Sequence, residues 1–125
     1  MFKATPKSSP ILDFIIPIPR NPHKKSSHQQ SYLDWRHRLS QIQSELPHLQ
    51  ITPFEKNIEI WKQLWIVLDQ SDFVLQVVDI RDPMFYLSLD LFQYASELGK
   101  GFMLIVNKSD LVGEEVRRGV AQQLE

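Results

Sequence analysis

Apolar positions along the chain recur with two different periods. Trp35, Leu39, Ile42 and Leu46 fall at i, i+4, i+7 and i+11, the single stripe of a helix predicted over Ser31–Leu46. Ser31 stands as its cap with Asp34 three residues on, and Pro47 ends it. Thr52-Pro53-Phe54-Glu55 reads as the start of a second helix. It offers an N-cap, a proline at the first helical position and a glutamate that can close a capping box. Phe54, Ile58, Trp61, Trp65 and Leu68 then form a stripe at helical spacing, with Glu55, Glu59 and Lys62 facing away. An aromatic stripe of this kind is expected to be core rather than a ligand box.

Two later runs are short, continuous and rich in β-formers: Phe73–Val78 and Phe102–Val106. Their lack of alternation predicts strands covered on both faces. Between them Ser88–Leu98 reads as a helix with Leu91, Ala95 and Leu98 on one face and Gly99 as its stop. Strand, helix and strand over this length make a βαβ unit with a right-handed crossover. A last helix is expected over Glu114–Leu124. The fold class predicted is α/β, with an extended arm and N-terminal helices followed by an incomplete Rossmann-like βαβ unit. Its uncovered edge would favour pairing with further strands. The domain reading is a disordered basic arm over residues 1–30, a helix within 31–50 and the sheet domain over 51–125.

Composition narrows this picture. At 125 residues the chain has room for about one domain, and with 42% hydrophobic and 23% charged residues it reads as globular. It has no cysteine, which excludes disulfides and Cys-based zinc sites. No apolar run approaches the ~18 residues of a membrane span, and residues 1–10 lack the pattern of a secretory leader. The net charge of −1 is unevenly spread. Residues 1–50 hold seven Lys or Arg against three acids, which is +4 and leaves −5 for the rest. Prolines at 6, 10, 17, 19 and 22 oppose helix in the first thirty residues, while Ile11–Ile18 is apolar and could lie extended along another surface. A basic arm suits a polyanion such as RNA, with Arg20, Lys24, Lys25, Arg36 and Arg38 as contact candidates. The same residues also suit a solvated tail. His23, His28, His37 and His48 show no metal-ligand spacing.

The chemistry concentrates in Asn107-Lys108-Ser109-Asp110, directly after the second strand. Ligands of open parallel sheets sit at the carboxyl ends of strands. Guanine presents two donors on one edge, the ring N–H and the exocyclic amine, and the Asp110 carboxylate can accept both. Adenine offers an acceptor where that ring N–H would be, so the same carboxylate rejects it. Asn107 carries both donor and acceptor for the other edge, and the stem of Lys108 can lie over the flat base. The alternative is a polar turn with Asp110 as a cap. No GxxxxGK[ST] phosphate loop occurs in the 125 residues; Gly99-Lys100 precedes the strand and no Ser or Thr follows it. In an ordinary GTPase that loop lies upstream of the guanine motif. If the chain belongs to a GTPase, the loop is expected downstream, in circularly permuted order.

The runs TPFEKNIEIWKQLW, SDFVLQVVDIRDPMFY and MLIVNKSDL, in this order, resemble the circularly permuted GTPases of ribosome assembly. Within that family they are most similar to the cytoplasmic large-subunit branch of eukaryotes. IPIPRNP and SYLDWRHRL resemble the basic arm and first helix of that branch, so the likeness covers roughly residues 11–112. It gives Asn107, Lys108 and Asp110 the guanine-specificity role. Asp79-Ile80-Arg81-Asp82-Pro83 matches the family's DARxP signature, with Ile80 where alanine is usual. Asp79, Arg81 and Pro83 also read as a structural turn held by an Asp–Arg contact. The resemblance implies a P-loop GTPase type of domain in permuted order, with GTP and Mg²⁺ as cofactors of the complete protein and neither held tightly by this chain alone. It further implies late maturation of the large ribosomal subunit in the cytoplasm and release of its nuclear-export adaptor. The partners implied are that subunit, its rRNA and the adaptor, with no DNA and no membrane. The family's phosphate loop, magnesium motifs and C-terminal domain have no counterpart in these residues, so whether this chain is itself an enzyme stays open. A non-catalytic RNA- or ribosome-binding module is the alternative.

Overall fold

A computed structural model describes residues 15–48 and 50–125. They form a mixed helix and strand chain with a two-stranded parallel sheet. The chain divides into two compact units, one ending at Asp72 and the other holding the chain from Phe73 onward.

The unit ending at Asp72 is built on two helices, α1 (His28–Glu45) and α2 (Ile58–Gln70). Tyr32, Trp35 and Leu39 of α1 are buried together, with Ile51, Phe54, Ile58 and Trp61 packed against them. The rings of Phe54 and Trp61 both meet Trp35 edge-on. α1 begins three residues before the predicted start, because Ser31 is not a cap. Its hydroxyl instead donates to the carbonyl of Arg20 at 2.8 Å.

α2 begins five residues after Pro53, where the capping pattern had placed its first residue. The carbonyls that would start a helix there are taken by side chains. Glu55 O accepts the indole N–H of Trp61 at 3.0 Å, and Lys56 O accepts the hydroxyl of Tyr32. The Asn57 side chain caps the helix by accepting from Glu59 N at 3.0 Å. The predicted stripe from Ile58 to Leu68 nevertheless faces inward, and Trp65 and Leu68 are fully buried.

The disordered arm expected over residues 1–30 does not hold for its described part. Pro17 O accepts the Trp35 indole at 2.7 Å and Pro19 O accepts the Trp65 indole at 2.9 Å. A buried indole N–H needs an acceptor. A proline-rich segment outside the helices and strands leaves its carbonyls free of any helix or sheet ladder, so it supplies them. Pro19 is fully buried as a result. Residues 1–14, with the first half of the Ile11–Ile18 run, lie outside the described residues.

The second unit starts at β1 (Phe73–Asp79) and continues through α3 (Pro83–Tyr86), α4 (Leu89–Glu97), β2 (Gly101–Asn107) and α5 (Glu114–Leu124). The strands are parallel and in register from Phe73 opposite Gly101 to Asp79 opposite Asn107. Ser88 caps α4 through its hydroxyl, and Gly99 at φ 68° ends it as expected. A Cβ on Gly101 would lie 2.4 Å from the Phe73 ring, so the first rung requires glycine or a displaced ring.

The expectation that both faces of the sheet are covered is corrected. α4 lies on the face of Val74, Val78 and Phe102, where Phe92 meets Phe102 edge-on. On the opposite face Phe73, Leu75, Val77, Met103 and Ile105 are 37–68% exposed. One crossover helix covers one face; an apolar second face needs an additional element.

Candidate functional site

Both strands end at the same level, which brings two motifs far apart in sequence to one edge of the sheet. Asp79 and Asn107 share the last rung, and the Ile80 N–H donates to Asn107 O at 3.0 Å to extend the pairing beyond it. After β1 the chain turns sharply. Asp82 N donates to Asp79 O, and the Asp82 carboxylate caps α3 by accepting from Phe85 N at 3.3 Å. Pro83 opens α3 and is buried; it needs no hydrogen-bond partner there because it has no N–H to satisfy.

The Asp79 carboxylate, only 11% exposed, is the hub of the turn. Its Oδ1 accepts from the backbone N–H of Arg81 at 3.0 Å and from Arg81 Nε at 2.9 Å. Its Oδ2 accepts from Arg81 Nη2 at 2.6 Å and from Lys108 Nζ at 3.0 Å. The forked guanidinium contact, reinforced by the Arg81 backbone N–H and Lys108, holds the Asp79 carboxyl well below the usual carboxylate range. The same contact raises Arg81. The Asp–Arg turn anticipated from the DIRDP sequence is thus present, with an added partner from the other strand.

That partner sits in an unusual backbone conformation. Lys108 has φ 60° and ψ 28°, the left-handed region that costs a non-glycine residue about 1 kcal/mol. The bend it makes is closed by Leu111 N donating to Lys108 O at 3.0 Å, and it turns β2 into the short Ser109–Leu111 helix. Asn107, Lys108 and Asp110 are all exposed. The Asp110 carboxylate caps neither that turn nor α5, whose N-cap is Gly113. Among the described residues it has no hydrogen-bond or ion-pair partner, and the Asn107 side chain has none either. The structure therefore groups Asp79, Arg81, Asn107 and Lys108, with Asp110 free at the rim. The Asp79–Lys108 bridge was not anticipated from sequence. Its signal was there: an acid ending one parallel strand and a lysine directly after the other.

The residues nominated for RNA differ in their surroundings. Lys24 and Arg38 are exposed. Arg36 lies over the rings of Tyr32 and Phe54 at 5.9 and 5.5 Å and donates to the Tyr32 hydroxyl at 3.0 Å. Two residues apart on a helix, Arg36 and Arg38 point to opposite sides. Arg20 is half-buried and donates to Ile18 O at 3.2 Å. Lys25 begins a short turn, Lys25–Ser27, and its side chain lies outside the described ones. Among the described residues no group of three His, Asp or Glu could hold a metal ion, and no helix is long and apolar enough to cross a membrane.

Sequence comparison gives these residues a lineage. Large subunit GTPase 1 of Schizosaccharomyces pombe is 42% identical over 113 residues, 82% of this chain and 18% of that protein. GTPase LSG1-2 of Arabidopsis thaliana is 46% identical over 99 residues, 78% of this chain and 17% of its own length. The chain belongs with the Large subunit GTPase 1 proteins. The human homolog of these proteins is 35% identical over 119 residues, 86% of this chain and 18% of its own. No protein-family model matches the chain. It spans about a fifth of the length of the Large subunit GTPase 1 relatives it matches, 14–22%.

Proposed function

We propose that this chain carries the guanine-reading part of a GTPase whose phosphate loop and magnesium motifs follow it in circularly permuted order. The observation that carries the reading is the loop after β2, where Asn107 and Asp110 present unengaged polar side chains at the carboxyl end of a parallel strand. Asp110 accepts from the ring N–H and exocyclic amine of guanine, and Asn107 reads the opposite edge. In the complete protein GTP would be bound with Mg²⁺, and hydrolysis would depend on positioning and charge stabilisation by residues outside this segment. The names of the relatives join a GTPase to a large subunit, and a role in late maturation of the large ribosomal subunit in the cytoplasm is part of this proposal. Release of its nuclear-export adaptor belongs to the same reading.

The test uses GMP, whose base can be bound where no phosphate cradle exists. Titration of the ¹⁵N-labelled chain should shift the amides of residues 107–111 with GMP and not with AMP. Asp110→Asn should transfer the response to xanthosine monophosphate, because the amide now offers a donor to the xanthine carbonyl. Equal responses to GMP and AMP in the parent chain would sink the reading.

A second reading, a non-catalytic RNA- or ribosome-binding module, draws on the +4 charge of residues 1–50 and on the exposed Lys24 and Arg38. The two are compatible, since a basic arm can deliver a nucleotide-binding domain to the ribosome.

A further inference from the structure

We propose that Asp79 is a positioning residue for guanine binding, acting through Lys108 across the end of the sheet; this rests on the guanine reading of the Asn107–Asp110 loop. Three links join the turn after β1 to the loop after β2. The first is the shared rung of Asp79 and Asn107, and the second is the Ile80 N to Asn107 O hydrogen bond at 3.0 Å. Both are backbone links and survive substitution. The third is the Lys108 Nζ to Asp79 Oδ2 contact at 3.0 Å, which depends on two side chains alone.

The geometry gives that contact a purpose. Lys108 occupies the left-handed bend that places Asp110 beyond it, and its half-exposed side chain reaches back to the carboxylate at the end of the neighbouring strand. Its ammonium is thereby tied down, and its aliphatic stem is left as a fixed wall beside Asn107. A wall of this kind contributes affinity for any flat purine ring. It reads no edge, which is the task of Asp110. Arg81, which grips both oxygens of Asp79, sets the carboxylate so that Oδ2 faces Lys108. The acid of the first motif therefore serves the second motif, and affinity and base selectivity reside in different carboxylates.

The experiment is a double-mutant cycle on the full 125-residue chain, read with GMP and AMP by NMR titration. Asp79→Asn should shift the amides of residues 107–111 in the nucleotide-free protein. It should also weaken GMP about twofold to fivefold, the range of a partly exposed ion pair, with the preference for GMP over AMP kept. Lys108→Met should weaken GMP to a similar degree. In the Lys108→Met background Asp79→Asn should cost nothing more. A further loss in that background would show that Asp79 acts only by holding its own turn, and would overturn the proposal. Unchanged loop amides and unchanged affinity on Asp79→Asn would overturn it too. If the parent chain bound GMP and AMP alike, the guanine reading would fail, and the positioning proposal would fail with it. The nucleotide-free amide shifts would still show whether the two motifs are coupled, so the two failures are distinguishable.

Discussion

The indole of Trp65 donates to the carbonyl of Pro19 at 2.9 Å, joining residues 46 positions apart in a fully buried contact. The ring of His28 lies 5.1 Å away, centroid to centroid, so Trp65 ties both the proline segment and the start of α1 to α2. Trp65→Phe keeps most of the ring volume and leaves the Pro19 carbonyl without its donor, at a cost of about 1–3 kcal/mol. Trp65→Ala adds a cavity and should cost about 3–5 kcal/mol. All three tryptophans lie between residues 35 and 65, so fluorescence-detected urea unfolding of Trp65→Phe reports on this unit alone. An unchanged midpoint would show that the Pro19 carbonyl finds water instead.

Asp79 makes an acid-side prediction with a definite sign. Its folded pKa lies well below the ordinary 3.8, so the folded state favours the ionised form. The stabilisation is fully present above that ordinary value and fades as pH falls below it. Asp79→Asn should remove this dependence. Thermal unfolding of the parent and the variant should give midpoints whose gap is constant from pH 7 to about 5 and narrows as pH falls below about 4. A gap that widens with acid would contradict the assignment of the shift to Arg81 and Lys108.

The contrast between these two sites shows what could be read from sequence. Periodicity located α1, α4 and both strands, because apolar spacing follows directly from helix and strand geometry. The capping pattern misplaced the start of α2, because the Glu55 and Lys56 carbonyls are claimed by Trp61 and Tyr32, contacts that no local pattern contains. Composition read proline-rich residues as disorder, where their free carbonyls are what two buried indoles need. At the candidate site the motifs and the Asp–Arg turn were legible. The Lys108 bridge was not, because it depends on the register that brings Asp79 opposite Asn107.

The bare face of the sheet carries a prediction about association. Phe73, Leu75, Val77, Met103 and Ile105 form a contiguous apolar surface on two paired strands, uncovered by any described residue of their unit. Such a surface promotes self-association of the chain on its own. Leu75→Lys with Val77→Thr should reduce light scattering at high concentration and leave the far-ultraviolet circular dichroism unchanged, since both side chains project into solvent. If the paired substitution unfolded the second unit instead, this face would be covered in solution.

The two arginines of α1 should separate fold from RNA binding. Arg36 spends its guanidinium on Tyr32 and Phe54, whereas Arg38 and Lys24 face solvent. Arg36→Ala should lower stability by about 0.5–2 kcal/mol through lost stacking and the lost Tyr32 hydrogen bond. Arg38→Ala should leave stability within about 0.5 kcal/mol of the parent. If the basic N-terminal half docks on ribosomal RNA, the order reverses in a salt titration of binding to isolated large subunits. Each phosphate contact contributes about −0.7 to −0.9 to the slope of log K against log salt. Lys24→Ala and Arg38→Ala should each flatten that slope by nearly one unit, and Arg36→Ala should leave it unchanged. A slope insensitive to Lys24 and Arg38 would place any RNA contact elsewhere in the chain and would leave these two residues as ordinary solvated charges.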